Sequence, residues 1–277
     1  MSFHTRTKRL TRLAVFLLLC SLATLAGAQQ PQQKDKGKKT GDRIEKKTYE
    51  FKEAGKEMEY ALFVPSKYAK DKKIPLMVAL HGLGGNPQQM MRSRGLTDQA
   101  EQYGYIVVAP MGYNSSGWYG ARAPGGPGKG KDAPKNLSEL SEKDVMNVLE
   151  LVRKEFTIDE KRIYLIGHSM GGAGTWHLGT KYPDIWAGLA PIAPAAFGQP
   201  TGLDKIKHIP VIVVQGDKDT LVRPEGTRRW VEKMKELSMT YEYLEIPGGG
   251  HGDVIGTGMP KIFEFFEKQH KKEDKGK

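Results

Sequence analysis

The chain has 277 residues, 43 lysines and arginines against 32 aspartates and glutamates, a net charge of +11 and one cysteine. That length suits one sizeable α/β domain, and a single cysteine excludes both a disulfide framework and a multi-thiolate metal site. The positive excess sits in solvated runs, Lys34–Lys39 and Lys268–Lys277, with no basic groove interleaved with aromatics, so nucleic acid is not an expected partner.

Residues 1–28 read as a removable signal peptide. Lys8, Arg9 and Arg12 precede a mostly apolar stretch, Leu13–Leu25, and Ala26-Gly27-Ala28 gives a small-x-small pattern before Gln29. The stretch is short for a bilayer crossing. Cys20 lies inside it, preceded by Leu19 rather than the small residue of a lipoprotein signal. Cleavage removes Arg6, Lys8, Arg9 and Arg12 and no acid, leaving a cysteine-free chain of net charge +7. The expectation is a secreted or periplasmic protein with no membrane association after cleavage. Residues 29–45 form a polar linker, 46–270 the folded domain and 271–277 a charged tail.

Within the domain, Tyr49–Lys52 and Met58–Val64 suggest an antiparallel pair broken at Ala54-Gly55. Leu76–Leu80 is an apolar run expected of a strand buried on both faces, and it exits into His81-Gly82-Leu83-Gly84-Gly85. Asn86-Pro87 supplies a cap and first position for a helix toward Glu101, and Ile106–Ala109 is the next strand. Residues 111–140 form a long irregular loop rich in glycine, proline and lysine. Such loops often carry function, and Trp118 and Tyr119 are candidates to line a substrate pocket. Ser141-x-x-Asp144 reads as a capping box for a helix with Val145, Val148, Leu149, Val152 and Phe156 on one face.

Ile163–Ile166 is another buried strand, and Gly167-His168-Ser169-Met170-Gly171 follows it as Gly-x-Ser-x-Gly. In that context the pattern is a nucleophile elbow that holds Ser169 above the sheet edge at a helix N-terminus. A serine hydroxyl needs a base, and the base needs an orienting carboxylate. Such an elbow is followed in chain order by acid and then histidine. Val211–Val214 is a strand that leads to Asp217 and Asp219. Asp219 is favoured because Gly216-x-x-Asp219 leaves a turn in which the carboxylate can swing back. Tyr241–Ile246 is a later strand, and it leads to Pro247-Gly248-Gly249-Gly250-His251, where a histidine among glycines has no core to pack. Ser169, Asp219 and His251 are therefore the expected catalytic residues. The backbone N–H groups of Leu83 and Met170 are the expected oxyanion donors. Trp176, Trp186 and Trp230 read as core. No spacing suggests a metal or phosphate site, so catalysis without a cofactor is expected.

Tyr60–Pro65, Leu80-His81-Gly82, the elbow, Gly216-x-x-Asp219 and His251 together resemble the α/β-hydrolase superfamily over Tyr49–Phe266. The closer likeness is to secreted serine esterases of the feruloyl esterase and polyhydroxybutyrate depolymerase type. It extends to prolyl-oligopeptidase-like catalytic domains and to dienelactone hydrolases, which usually carry a cysteine where this chain has Ser169. The resemblance implies a mostly parallel central sheet with helices on both faces. Only about fifteen residues lie between Ala195 and Val211, so no lid domain is expected there. The expected substrate is a small-molecule or polymer-attached carboxylic ester. A small serine peptidase and a non-catalytic binder on the same fold are the alternatives.

Overall fold

A computed structural model describes residues 40–121 and 133–271. The signal-peptide reading, most of the expected linker, residues 122–132 of the long loop and the end of the tail lie outside the described residues. Among those described, no helix is long and apolar enough to cross a membrane.

The folded domain starts earlier than expected. Residues 40–43 make a 3-10 turn, and β1 (Glu45–Phe51) begins directly after it. Arg43 ties this start to the domain. Its guanidinium pairs with Glu101 at 2.6 Å and lies 4.9 Å over the Phe63 ring, while Ile44 packs against the core.

Among the described residues, eight strands form one sheet: β1, β2 (Lys56–Phe63), β3 (Ile74–Leu80), β4 (Ile106–Pro110), β5 (Ile158–His168), β6 (Gly188–Ile192), β7 (Val211–Gly216) and β8 (Tyr241–Ile246). Their order is β1-β2-β4-β3-β5-β6-β7-β8; β1 and β2 pair antiparallel, as do β2 and β4, and the rest are parallel. Every residue of β3, β4, β6 and β7 is buried, as parallel strands must be when crossover helices cover both faces. The alternation of side chains along a strand then sorts the core into two layers. Leu76, Val78 and Leu80 of β3 pack with α3 (Leu137–Glu155), α4 (Met170–Lys181) and α5 (Pro224–Glu236). Met77 and Ala79 pack on the other face with α1 (Pro87–Met91), α2 (Leu96–Tyr103) and α6 (Asp253–Phe266). Trp176 and Trp230 stack at 4.7 Å to join α4 to α5, and Phe266 stacks on Tyr164 at 4.4 Å to seat α6. Such pairs add roughly 0.5–1.5 kcal/mol beyond the area they bury.

Two helix expectations are corrected. The helix toward Glu101 is two helices, because the chain turns between Met91 and Leu96 with Gly95 at φ +83°. The helix expected to be capped by Ser141 and Asp144 already begins at Leu137. Both side chains leave the helix for the loop after β4. Ser141 Oγ accepts from the Tyr119 N–H at 2.9 Å, and Asp144 accepts from Gly112 N–H and Tyr49 Oη, each at 2.6 Å.

Parallel pairing brings the carboxyl ends of β3, β5, β7 and β8 to one edge. There the glycine loop from His81, Ser169, the turn through Asp219 and the loop through His251 all leave the sheet, as ligand-binding loops do in open α/β sheets.

Candidate active site

Ser169 has φ 57° and ψ −113°, a conformation costly for a residue with a Cβ. The surroundings hold it there. Its N–H donates to the Ile192 carbonyl at 2.9 Å, and its own carbonyl accepts from Ala195 N–H at 2.9 Å. The turn can be this tight only with glycines beside it. A Cβ on Gly167 would lie 2.2 Å from the Gly171 carbonyl oxygen, and one on Gly171 would lie 2.3 Å from that of Leu80. α4 begins at Met170, so the unspent N–H groups and positive end of that helix stand at the serine.

At the end of β7, Asp219 is almost wholly buried. Its Oδ1 accepts from the N–H groups of Leu221 (2.9 Å) and Val222 (2.8 Å). Its Oδ2 accepts from Gln215 Nε2 at 3.2 Å and from His251 Nδ1 at 2.7 Å. Gln215 is itself oriented by Thr227, whose hydroxyl donates to Oε1 at 2.7 Å. Burial alone would raise the Asp219 carboxyl. The bonds from His251, Val222 and Leu221 outweigh it and hold the group below the usual carboxylate range. Asp217, the other candidate, instead accepts from Gly248 N–H at 2.7 Å and braces the histidine loop. With Nδ1 on Asp219, the second nitrogen of His251 is left for other partners. Ser169 and His251 border the same cavity with no hydrogen bond between them; contacts of this kind tighten on substrate binding.

The cavity holds about 560 Å³. Among the described residues, no aspartate, glutamate, lysine or arginine lines it. Its apolar wall includes Met90, Trp118, Ala195, Val222 and Ile255, and Gln89 and Ser93 bring polar groups from the α1 side. Leu83, Phe197 and Leu221 border it with 54%, 67% and 71% of their surface exposed. Trp118 is one of the residues that line it. Tyr119 is not among them: it is fully buried, its Oη donating to the His81 carbonyl at 3.2 Å. Its N–H is taken by Ser141, so it supports the loop rather than meeting a ligand. In the glycine loop, Gly84 N–H donates to Ser115 and Gly85 N–H to Gly82, while among the described residues no acceptor stands against Leu83 N–H. Among the described residues no cluster of His, Cys, Asp or Glu has the geometry to hold a metal ion.

The sequence treats His168 only as the variable position of the elbow. In the structure it lies against His251, with its Nε2 2.7 Å from the His251 carbonyl. The only signal available to foresee this was an imidazole beside Ser169.

This sheet, elbow and acid–histidine pair define an α/β-hydrolase. The chain matches the Esterase family over residues 52–254 and belongs to that family. It is 27% identical over 259 residues to feruloyl esterase B of Thermothelomyces thermophilus, covering 78% of this chain and 84% of that protein. It is 28% identical over 146 residues to S-formylglutathione hydrolase of Rattus norvegicus, covering 50% of this chain and 51% of that protein. A solved thermostable esterase superposes with a TM-score of 0.64 at 29% identity, over 83% of this chain and 64% of the other. Of three further curated relatives it matches, the chain spans 25%, 47% and 44% of the length.

Proposed function

We propose that this protein is a serine esterase that cleaves neutral carboxylic esters through an acyl-enzyme. The observation that carries the reading is the 2.7 Å bond between His251 Nδ1 and buried Asp219, in the cavity that Ser169 borders from a strained turn. Ser169 Oγ attacks the ester carbonyl and passes its proton to His251 Nε2. His251 then gives that proton to the departing alcohol. Asp219 fixes the tautomer and stabilises the imidazolium. Water, deprotonated by the same ring, attacks the acyl-serine, and the proton returns to Ser169 as the acid leaves. The Met170 and Leu83 N–H groups receive the oxyanion.

A lining without aspartate, glutamate, lysine or arginine among the described residues favours an acyl group that is itself neutral and apolar. Among the relatives, a feruloyl ester fits this wall better than a glutathione thioester, whose carboxylates would find no cation among the described lining residues. Trp118 is the aromatic surface against which such a group packs. Replacing Ser169 with alanine tests the reading. Turnover of a short activated aryl ester is expected to fall by roughly four or more orders of magnitude, and covalent labelling by a fluorophosphonate should vanish. Wild-type turnover in that variant would remove the mechanism.

Export completes the proposal. Its support is the basic-apolar-small pattern of residues 1–28. The mass of the exported protein should correspond to a chain beginning at Gln29; recovery of the full-length chain in the cytoplasm alone would contradict it.

A further inference from the structure

We propose that His168 is a positioning residue, whose Nε2–H holds the main chain of His251 and so aims the imidazole that works on Ser169. The inference rests on the triad reading above. The loop that carries His251 contains Gly248, Gly249, Gly250 and Gly252, and a glycine-rich segment has much backbone freedom to lose. Its order comes from local bonds, such as Gly249 N–H to the Ile246 carbonyl, and from contacts with other segments. Gly248 N–H is held by Asp217, the Gly249 carbonyl by Lys218 N–H, and Gly250 N–H by Asp253. At His251 itself the peptide is held from the elbow. His168 Nε2 lies 2.7 Å from the His251 carbonyl, an acceptor only, so the imidazole must donate.

The same ring reaches two more parts of the site. It lies 4.6 Å from the His251 ring, tilted by 47°. It also packs on the oxyanion loop, where a Cβ added to Gly82 would meet His168 Nδ1 at 3.3 Å. One side chain, next to the nucleophile in sequence, thus touches the loop of the base and the loop of the oxyanion donor. Burial lowers its pKa to about 4, so the ring stays neutral near neutral pH. A neutral ring can hold the loop without repelling the His251 imidazolium that forms during turnover.

The test compares wild type with His168→Phe, which keeps an aromatic ring and loses the donor, and His168→Gln, which restores a donor near the Nε2 position. Steady-state hydrolysis of a short aryl ester, the rate of fluorophosphonate labelling and Tm are measured for each. The Phe variant should lose about 10- to 100-fold in kcat and in labelling rate with KM little changed, and Gln should recover most of that loss. A Phe variant within about twofold of wild type, or a Gln variant no better than Phe at equal Tm, overturns the proposal. If Phe does not fold, His168→Leu against His168→Gln reads the same order. Ser169→Ala separates the two claims. If it stays active, the triad reading falls; if it is dead while Phe is normal, only the role of His168 falls.

Discussion

Asp217 and Asp219 stand two residues apart in one turn, yet their carboxylates do different work. Asp219 lies at the inner side, where Leu221 and Val222 N–H groups and Gln215 hold it against His251. Asp217 turns outward to the Gly248 peptide. Asp219→Asn should therefore lower kcat by about 10³–10⁴-fold, as loss of the orienting carboxylate does in triads, while Asp217→Asn should change it by less than about tenfold. Ester kinetics on the two purified variants decide this, and the reverse ranking would move the acid to Asp217. The spacing from Gly216 made Asp219 the better candidate in the sequence. What no spacing could give was the direction of each carboxylate, because that is set by N–H groups and by an amide from other parts of the turn and strand. His168 was hidden for the same reason: its partner is a main-chain carbonyl 83 residues away.

Secondary elements were most legible where burial alone dictates them. The apolar runs of β3, β4, β5 and β7 needed no context, since a strand covered on both faces has no polar side to confuse the pattern. α3 was misplaced because Ser141 and Asp144 look like capping residues while serving the loop after β4. Its neighbour Glu142 ties α3 to α4, accepting from His177 Nε2 (2.6 Å), Lys181 Nζ (2.6 Å) and Tyr182 Oη (2.5 Å). Burial pushes this carboxyl up, but the bonds from His177, Lys181 and Tyr182 prevail and bring its pKa down to about 2. A depressed carboxyl pKa contributes stability that is full above the ordinary value of 4.5 and is lost as pH falls toward 2. Chemical denaturation from pH 6 to pH 2 should show Glu142→Gln less stable than wild type at pH 6, with the gap closing below pH 4.5. A gap that is constant with pH would mean that the clasp is not electrostatic.

For the molecule as a whole, the two core layers and the parallel strand order fix where the reactive groups meet. The fold class and this meeting edge could be read from the chain. Most of the cavity wall could not, since Gln89 and Met90 come from α1, Ser93 from the turn after it, Ile255 from α6, and Phe197 and Leu221 from loops with no motif. That wall, free of ionic side chains among the described residues, has a consequence for what leaves as well as for what enters. Ester cleavage turns an uncharged guest into an anion at neutral pH. An anion lodged among Trp118, Met90 and Ile255 has lost water and gained no lysine or arginine as counterion. The pocket should therefore evict its own acid. Added free carboxylate should inhibit turnover only at concentrations far above the KM of the matching ester, and progress curves should run nearly straight until substrate is spent. Inhibition near the KM would mean that a cation reaches the product after all.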